Sequence, residues 1–110
     1  MAVPTLGEFE QIVLLAIMRL GENAYGVTLR EEIRARTNRH PTPGAVYTTV
    51  DRLEEKGLVS SRFGDPTPLR GGRAKRFFKV TAKGIAAVAQ AQRSYQRLLD
   101  GLTIPGVSHA

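Results

Sequence analysis

The stretch His40-Pro41-Thr42-Pro43-Gly44-Ala45-Val46-Tyr47-Thr48-Thr49-Val50-Asp51-Arg52-Leu53-Glu54-Glu55-Lys56-Gly57-Leu58-Val59 decides the fold. It reads as one short helix with both ends marked. Thr42 is placed to cap the start, its hydroxyl accepting from a backbone N–H of the first turn. Pro43 then falls at the first helical position, where a missing N–H costs nothing. Gly57, behind Lys56, is a left-handed stop. Between the caps, Val46, Val50 and Leu53 recur at roughly 3.6-residue spacing and anchor the helix on a core. The opposite face, at about 100° per residue, carries Gly44, Tyr47, Thr48 and Asp51. That face is small and polar with one aromatic hydroxyl, as suited to lying against a partner as to facing solvent.

Upstream, Tyr25, Leu29 and Ile33 fall at i, i+4 and i+8 and predict a helix over residues 25–36, with residues 37–41 as the link. Gly21-Glu22-Asn23 is a tight turn. Before it, Phe9, Ile12, Val13, Ala16, Ile17 and Leu20 make one broad apolar face from Glu8 to about Leu20. Leu14, Leu15 and Met18 leave this first helix apolar nearly all round, so nearly all of it must be covered. A partner subunit is the economical cover for its second face; the last helix of the same chain is the alternative. Three helices joined by short links by residue 56 are the layout of a helix-turn-helix module.

Downstream of Gly57 the period changes. Val59, Ser61 and Phe63 alternate with Ser60 and Arg62 as a strand. Residues 64–74 are dense in turn formers, and Lys75 to Val80 is the return strand, with Phe78 and Val80 on one side and Phe77 and Lys79 on the other. The expected product is a two-stranded wing with a basic tip. Thr81 caps a last helix reaching about Leu102. Ile85, Val88, Gln92, Tyr95, Leu99 and Leu102 form a heptad seam along it, about two and a half heptads long. Packed against the first helix of a second subunit, through Leu14 and Met18, that seam is the expected dimer contact. The fold class is therefore mainly α (α+β): a winged helix-turn-helix over residues 6–80, a dimerisation helix over 81–102 and a flexible tail over 103–110.

The chain has 110 residues, enough for one small domain, and 42% of them are hydrophobic, enough for a core. It lacks cysteine, which excludes a disulfide framework and a thiolate metal site. No run of about 18 apolar residues is present to span a membrane, and no secretory signal is visible, so the cytoplasm is the expected compartment. His40 and His109 have no metal-ligand spacing, and the acids Glu31-Glu32 and Glu54-Glu55 diverge in adjacent pairs on helix surfaces. No nucleophile and base are paired, so neither an enzyme, a metal nor a cofactor is expected. The net charge of +6 points to an anionic partner. Residues 62–83 hold seven bases (Arg62, Arg70, Arg73, Lys75, Arg76, Lys79 and Lys83) against Asp65 alone, and the remainder is neutral. Along the chain, all the excess charge sits in the wing segment.

Ala24-Tyr25-Gly26, Gly44-Ala45-Val46-Tyr47 with Leu53-Glu54-Glu55-Lys56-Gly57-Leu58-Val59, and Gly71-Gly72-Arg73-Ala74-Lys75-Arg76-Phe77-Phe78-Lys79-Val80-Thr81 carry a resemblance that covers about residues 6–102. In this order they resemble the winged helix-turn-helix regulators of the PadR family. The resemblance implies a homodimeric repressor on an inverted-repeat operator in double-stranded DNA, with the third helix in the major groove and the wing on the flanking backbone. Carried over residue by residue, it places Tyr47 and Thr48 on DNA and Arg73, Lys75 and Arg76 on phosphates; Thr42, Gly44 and Arg52 beside them on the third helix, and Arg70 in the wing, complete the expected DNA-binding set. It also implies a small hydrophobic effector between subunits, for which Phe9 and Tyr95 are the available aromatic lining; the chain departs in having a single C-terminal helix and no tryptophan. Asp51 is at odds with phosphate, and a surface pair with Arg52 or another neighbour is its expected role. The rival reading from another class is a protein-interaction module that docks its basic wing on an acidic protein.

Overall fold

The computed structural model describes residues 5–64 and 74–106. Its elements run α1 (Glu8–Leu20), a 3-10 turn (Gly21–Asn23), α2 (Gly26–Thr37), α3 (Pro43–Glu55), β1 (Val59–Phe63), β2 (Arg76–Val80) and α4 (Ala82–Leu99). The helices begin and end where their caps dictate. Thr42 Oγ1 accepts from Ala45 N at 3.1 Å and starts α3. At the other end Gly57 takes φ 77°, and the N–H groups of Gly57 and Leu58 donate to Glu54 O and Leu53 O, both at 2.9 Å. That pair of reversed bonds satisfies carbonyls the helix would otherwise leave bare. Asn38, with φ 58°, performs the same left-handed stop behind α2.

β1 and β2 pair antiparallel, with Val59 opposite Val80 and Phe63 opposite Arg76. The link before α2 adds to this sheet: Phe78 N donates to Ala24 O at 2.8 Å, and Tyr25 bridges Phe77. Periodicity predicts only two strands, because a single bridge carries no alternation to read. Inside, Leu14, Ile17, Leu29, Ile33, Val46 and Leu53 from the three helices meet Leu58 and Phe78 of the sheet side, all essentially inaccessible to water. A partly buried ion pair joins α1 to the end of α3. Glu10 accepts from Gly7 N and from Lys56 Nζ, both at 2.8 Å. Burial pushes its carboxyl pKa up, but those hydrogen bonds and the charges of Lys56 and Arg52 outweigh it and hold the pKa below the ordinary value.

α4 departs from its expected outline. It stops at Leu99, with Gly101 at φ 79° turning the chain, so Leu102 lies beyond the helix. Val88 and Leu14 are 7% and 0% exposed within their own chain, so neither offers surface to a second subunit. For Leu14 the cover comes from the chain's own core and not from a partner. The reason for Val88 is where α4 meets the body: Gly84, Ala87 and Val88 turn inward. From Gln92 to Leu98 every residue is exposed, and the helix projects from a molecule measuring 56 × 35 × 22 Å.

Gly84 fixes that contact. A Cβ built on it would lie 2.2 Å from Leu58 O and 2.7 Å from Val80 Cγ1. Both neighbours are held, Leu58 O by Thr81 N at 3.0 Å and Val80 by the sheet. Gly84→Ala should therefore destabilise the fold by about 2 kcal/mol or more, through overpacking against backbone that cannot retreat. Thermal denaturation reads this as a fall of roughly 8 °C or more; an unchanged midpoint would mean that α4 does not pack on Leu58.

Candidate nucleic-acid interface

α3 presents its outer face because its inner one is anchored at Val46, Thr49, Val50 and Leu53. Thr42, Gly44, Tyr47, Thr48, Asp51 and Arg52 are all exposed on the other side. A Cβ at Gly44 would meet nothing nearer than Thr42 Oγ1 at 4.0 Å, so the glycine leaves open space outward. Tyr47 behaves differently from its neighbours. It is 40% exposed, its ring meets Phe78 edge-on at 6.4 Å, and its hydroxyl lies over Gly26 of α2. A Cβ on Gly26 would stand 2.3 Å from that oxygen, so the glycine is what lets the ring lie back against α2. The sequence shows Gly26 beside Tyr25 but not its partner, which comes from 21 residues further along.

Arg76, expected on a phosphate, is engaged elsewhere. Its guanidinium donates to Asp51 Oδ1 at 2.9 Å and Glu54 Oε1 at 2.6 Å, and lies 5.2 Å over the Phe78 ring. Ser61 Oγ donates to the other Glu54 oxygen at 2.9 Å. Burial works against the charge of Arg76, yet the hydrogen bonds and charges of Asp51 and Glu54 prevail and raise its pKa further. The wing is thereby locked to α3, and Asp51, expected to pair within its own helix, is neutralised from β2 instead.

Folding also redistributes the wing's charge. Arg62 pairs with Glu22 at 3.3 Å and stacks 4.7 Å over Phe77. Lys83 donates to Lys56 O at 3.2 Å, at the base of α4. Lys75 and Lys79 remain exposed and outside any ion pair among the described residues, with Lys75 Nζ 4.4 Å over the Tyr25 ring. Arg70 and Arg73 lie outside the described residues. Among the described residues, no group of acids, histidines or cysteines is arranged to hold a metal ion, and no helix is long and apolar enough to cross a membrane.

A second surface lies away from α3. Leu15 and Met18 of α1 are 38% and 44% exposed, and Ile85, Tyr95, Leu98 and Leu102 are 49%, 53%, 73% and 55% exposed. Met18 and Ile85 share a groove of about 340 Å³ with Phe77 and Lys79, while Gln11 and Tyr95 share another of about 270 Å³ with Leu6 and Ala91. α1 and α4 therefore run antiparallel, while Leu15 lines a separate groove of about 200 Å³ with Ile33 and Arg36 of α2. Gln92 is exposed and Leu99 half-buried there. Leu98, absent from the expected seam, is the most exposed of the large apolar residues on these two helices. Phe9 packs against the core rather than joining Tyr95.

The family profile described as "Transcriptional regulator PadR-like family" matches residues 14–90. A transcriptional regulator of Mycobacterium tuberculosis is 32% identical over 85 residues, covering 77% of this chain and 74% of that protein. Among solved structures, a transcriptional regulator from Clostridium thermocellum aligns with TM-score 0.68 at 22% identity, over 83% of this chain and 82% of its own. A PadR-like transcription factor from Bacteroides fragilis gives 0.66 at 18% identity, over 84% of each chain. A winged-helix DNA-binding protein of the virus STIV gives 0.68 at 17% identity, over 91% of this chain and all of the other.

The Arg76 lock makes a measurable demand. A double-mutant cycle of Arg76→Gln with Asp51→Asn should give a coupling of about 0.5–1 kcal/mol, the size expected of a partly exposed, hydrogen-bonded pair. Urea unfolding of the four proteins measures it, and strict additivity would mean that wing and helix are not joined through this pair.

Proposed function

The chain belongs to the PadR-like family of transcriptional regulators, and we propose that it works as a homodimeric repressor on an inverted-repeat operator. Membership makes it a regulator of transcription rather than an enzyme. The observation that carries the finer reading is the outer face of α3: capped, backed by the core, locked to the wing by Arg76, and left fully open along Thr42, Gly44, Thr48 and Arg52. In this reading α3 enters the major groove. Thr48 meets a thymine methyl or a base edge, and Arg52 reaches either a guanine or a phosphate. Tyr47, leaning on Gly26, offers its hydroxyl to the backbone. Lys75, Arg70 and Arg73 take flanking phosphates, which adds affinity without base identity.

The two-fold partner meets the open face of α1 and α4. Met18, Ile85, Tyr95, Leu98 and Leu102 supply its apolar surface, with Gln92 as a polar member. One isolated exposed leucine requires no explanation, but a shared apolar face on two adjacent helices does. A small hydrophobic effector held between subunits would use the groove at Met18 and Ile85, which opens on the same side. Repression follows if the occupied operator overlaps a promoter.

Two measurements test this reading. Leu98→Asp leaves the monomer's core intact, because the site is exposed, but would place an unpaired charge inside the dimer. Sedimentation should show dissociation strengthened by about a hundred-fold or more, equivalent to roughly 3 kcal/mol; a monomeric wild type at micromolar concentration overturns the dimer. Thr48→Ala should cost about 1–3 kcal/mol on the preferred duplex and relax one base position in each half-site. Competition between duplexes altered one base at a time reads this, and an unchanged preference would move base reading off α3.

A further inference from the structure

Ion pairing changes where the usable positive charge lies. Along the sequence it is all in the wing, but in the folded chain Arg62 and Arg76 are matched by acids. Arg30 and Arg34 of α2 are within ion-pair reach of no described acid. These two follow Gly26 at i+4 and i+8, on one stripe of the helix. Gly26 is the residue under Tyr47, so the stripe flanks the outer face of α3. At its wing end, Lys75 stands 4.4 Å over the ring of Tyr25, the residue that opens α2. At its far end, Arg30, Arg34, His40 and Pro41 enclose a shallow concavity at the α2–α3 corner. Arg30 Nε donates to Pro41 O at 3.1 Å, which holds the corner in place; Arg30 is half-buried there and Arg34 exposed.

We infer that Lys75, Arg30, Arg34 and His40 form a continuous band for the sugar–phosphate backbone, so that the body of the domain, and not the wing tip alone, holds one strand. This rests on the DNA-binding reading above and adds a second phosphate surface to it. The dimensions agree. The nine helical rises from the cap Tyr25 to Arg34 span about 13 Å, and one strand places a phosphate about every 3.4 Å along the duplex axis. The band therefore matches roughly four phosphates. Glu31 lies on the flank of the same helix, exposed and within ion-pair reach of no described base, and Glu8 beside the far end is paired with Arg39. Arg34 also sits in the last turn of α2, where a cation suits the helix dipole. That role would register in thermal stability and leave the salt dependence of binding unchanged.

The test uses the full chain and a fluorescent duplex of random sequence, because holding phosphates needs no operator. Arg34→Gln should flatten the slope of log K against log salt by about two units for a dimer, near 0.9 for each phosphate no longer neutralised. At about 0.1 M salt it should weaken binding roughly tenfold or more. Arg34→Lys should restore the slope, and Glu31→Gln should tighten binding. If wild type binds with a steep slope and Arg34→Gln keeps both slope and affinity, the band is not a phosphate surface while the DNA-binding reading stands. A fall in melting temperature with an unchanged slope overturns the band equally. A wild type that binds no duplex at all overturns both.

Discussion

The left-handed turn at Gly57 lets one residue, Leu58, serve three elements. Its N–H returns to Leu53 O and closes α3, its side chain is wholly buried, and its carbonyl accepts from Thr81 N at the start of α4. Thr81 Oγ1 adds to the knot by donating to Gly57 O at 2.7 Å while accepting from Gly84 N at 3.1 Å. The end of the helix that faces outward and the start of the helix that projects away are thus joined within a few ångströms. A left-handed glycine is needed because a Cβ would strain that backbone conformation. Through this joint, the orientation of α4 is set relative to α3. In a dimer made through α4, the same joint fixes how far apart and at what angle two α3 helices present themselves.

Electrostatics complete what packing begins. Asp51 on an outward helix face is a liability for binding an anion, and β2 answers it with Arg76. The pairing gives up one cation of the wing and offsets one of the two negative charges that Asp51 and Glu54 place beside α3. It also ties wing to helix, so that the ribbon and α3 move as one body. Arg19 and Arg36 are matched to Glu32 in the same way, on the side of α2 that faces α1. Arg30 and Arg34 of α2, by contrast, have no described acid within ion-pair reach. Net charge alone is a statement about partners, and the pattern of ion pairs is what turns it into a surface.

Much of this architecture is legible in the residues. The caps at Thr42 and Thr81, the stop at Gly57, and the alternation in Phe77 to Val80 are local signals, and the structure follows them. The misreadings concern side chains whose fate depends on distant partners. Leu14 and Leu15 are neighbours on a helix apolar nearly all round; only the placement of the other elements decides that the first is buried and the second open. The heptad spacing of α4 includes Val88, but Gly84 brings that part of the helix flush with Leu58 and buries it, passing the exposed role to Leu98. Arg76 reads as a wing cation because Asp51 lies 25 residues earlier in the chain. Ala24 and Tyr25 join the sheet by one bridge, too short to alternate.

The central claim is that two copies of α3, held by α4 and steadied by the wing, read DNA with two-fold symmetry. Selection of duplexes from a random pool by the purified wild-type chain, followed by sequencing, tests it most directly. The account predicts enrichment of an inverted repeat whose half-site centres lie about one helical turn, near 10 base pairs, or a multiple of it apart. Enrichment of a single unrepeated site, or retention of duplexes with no shared sequence, would contradict it.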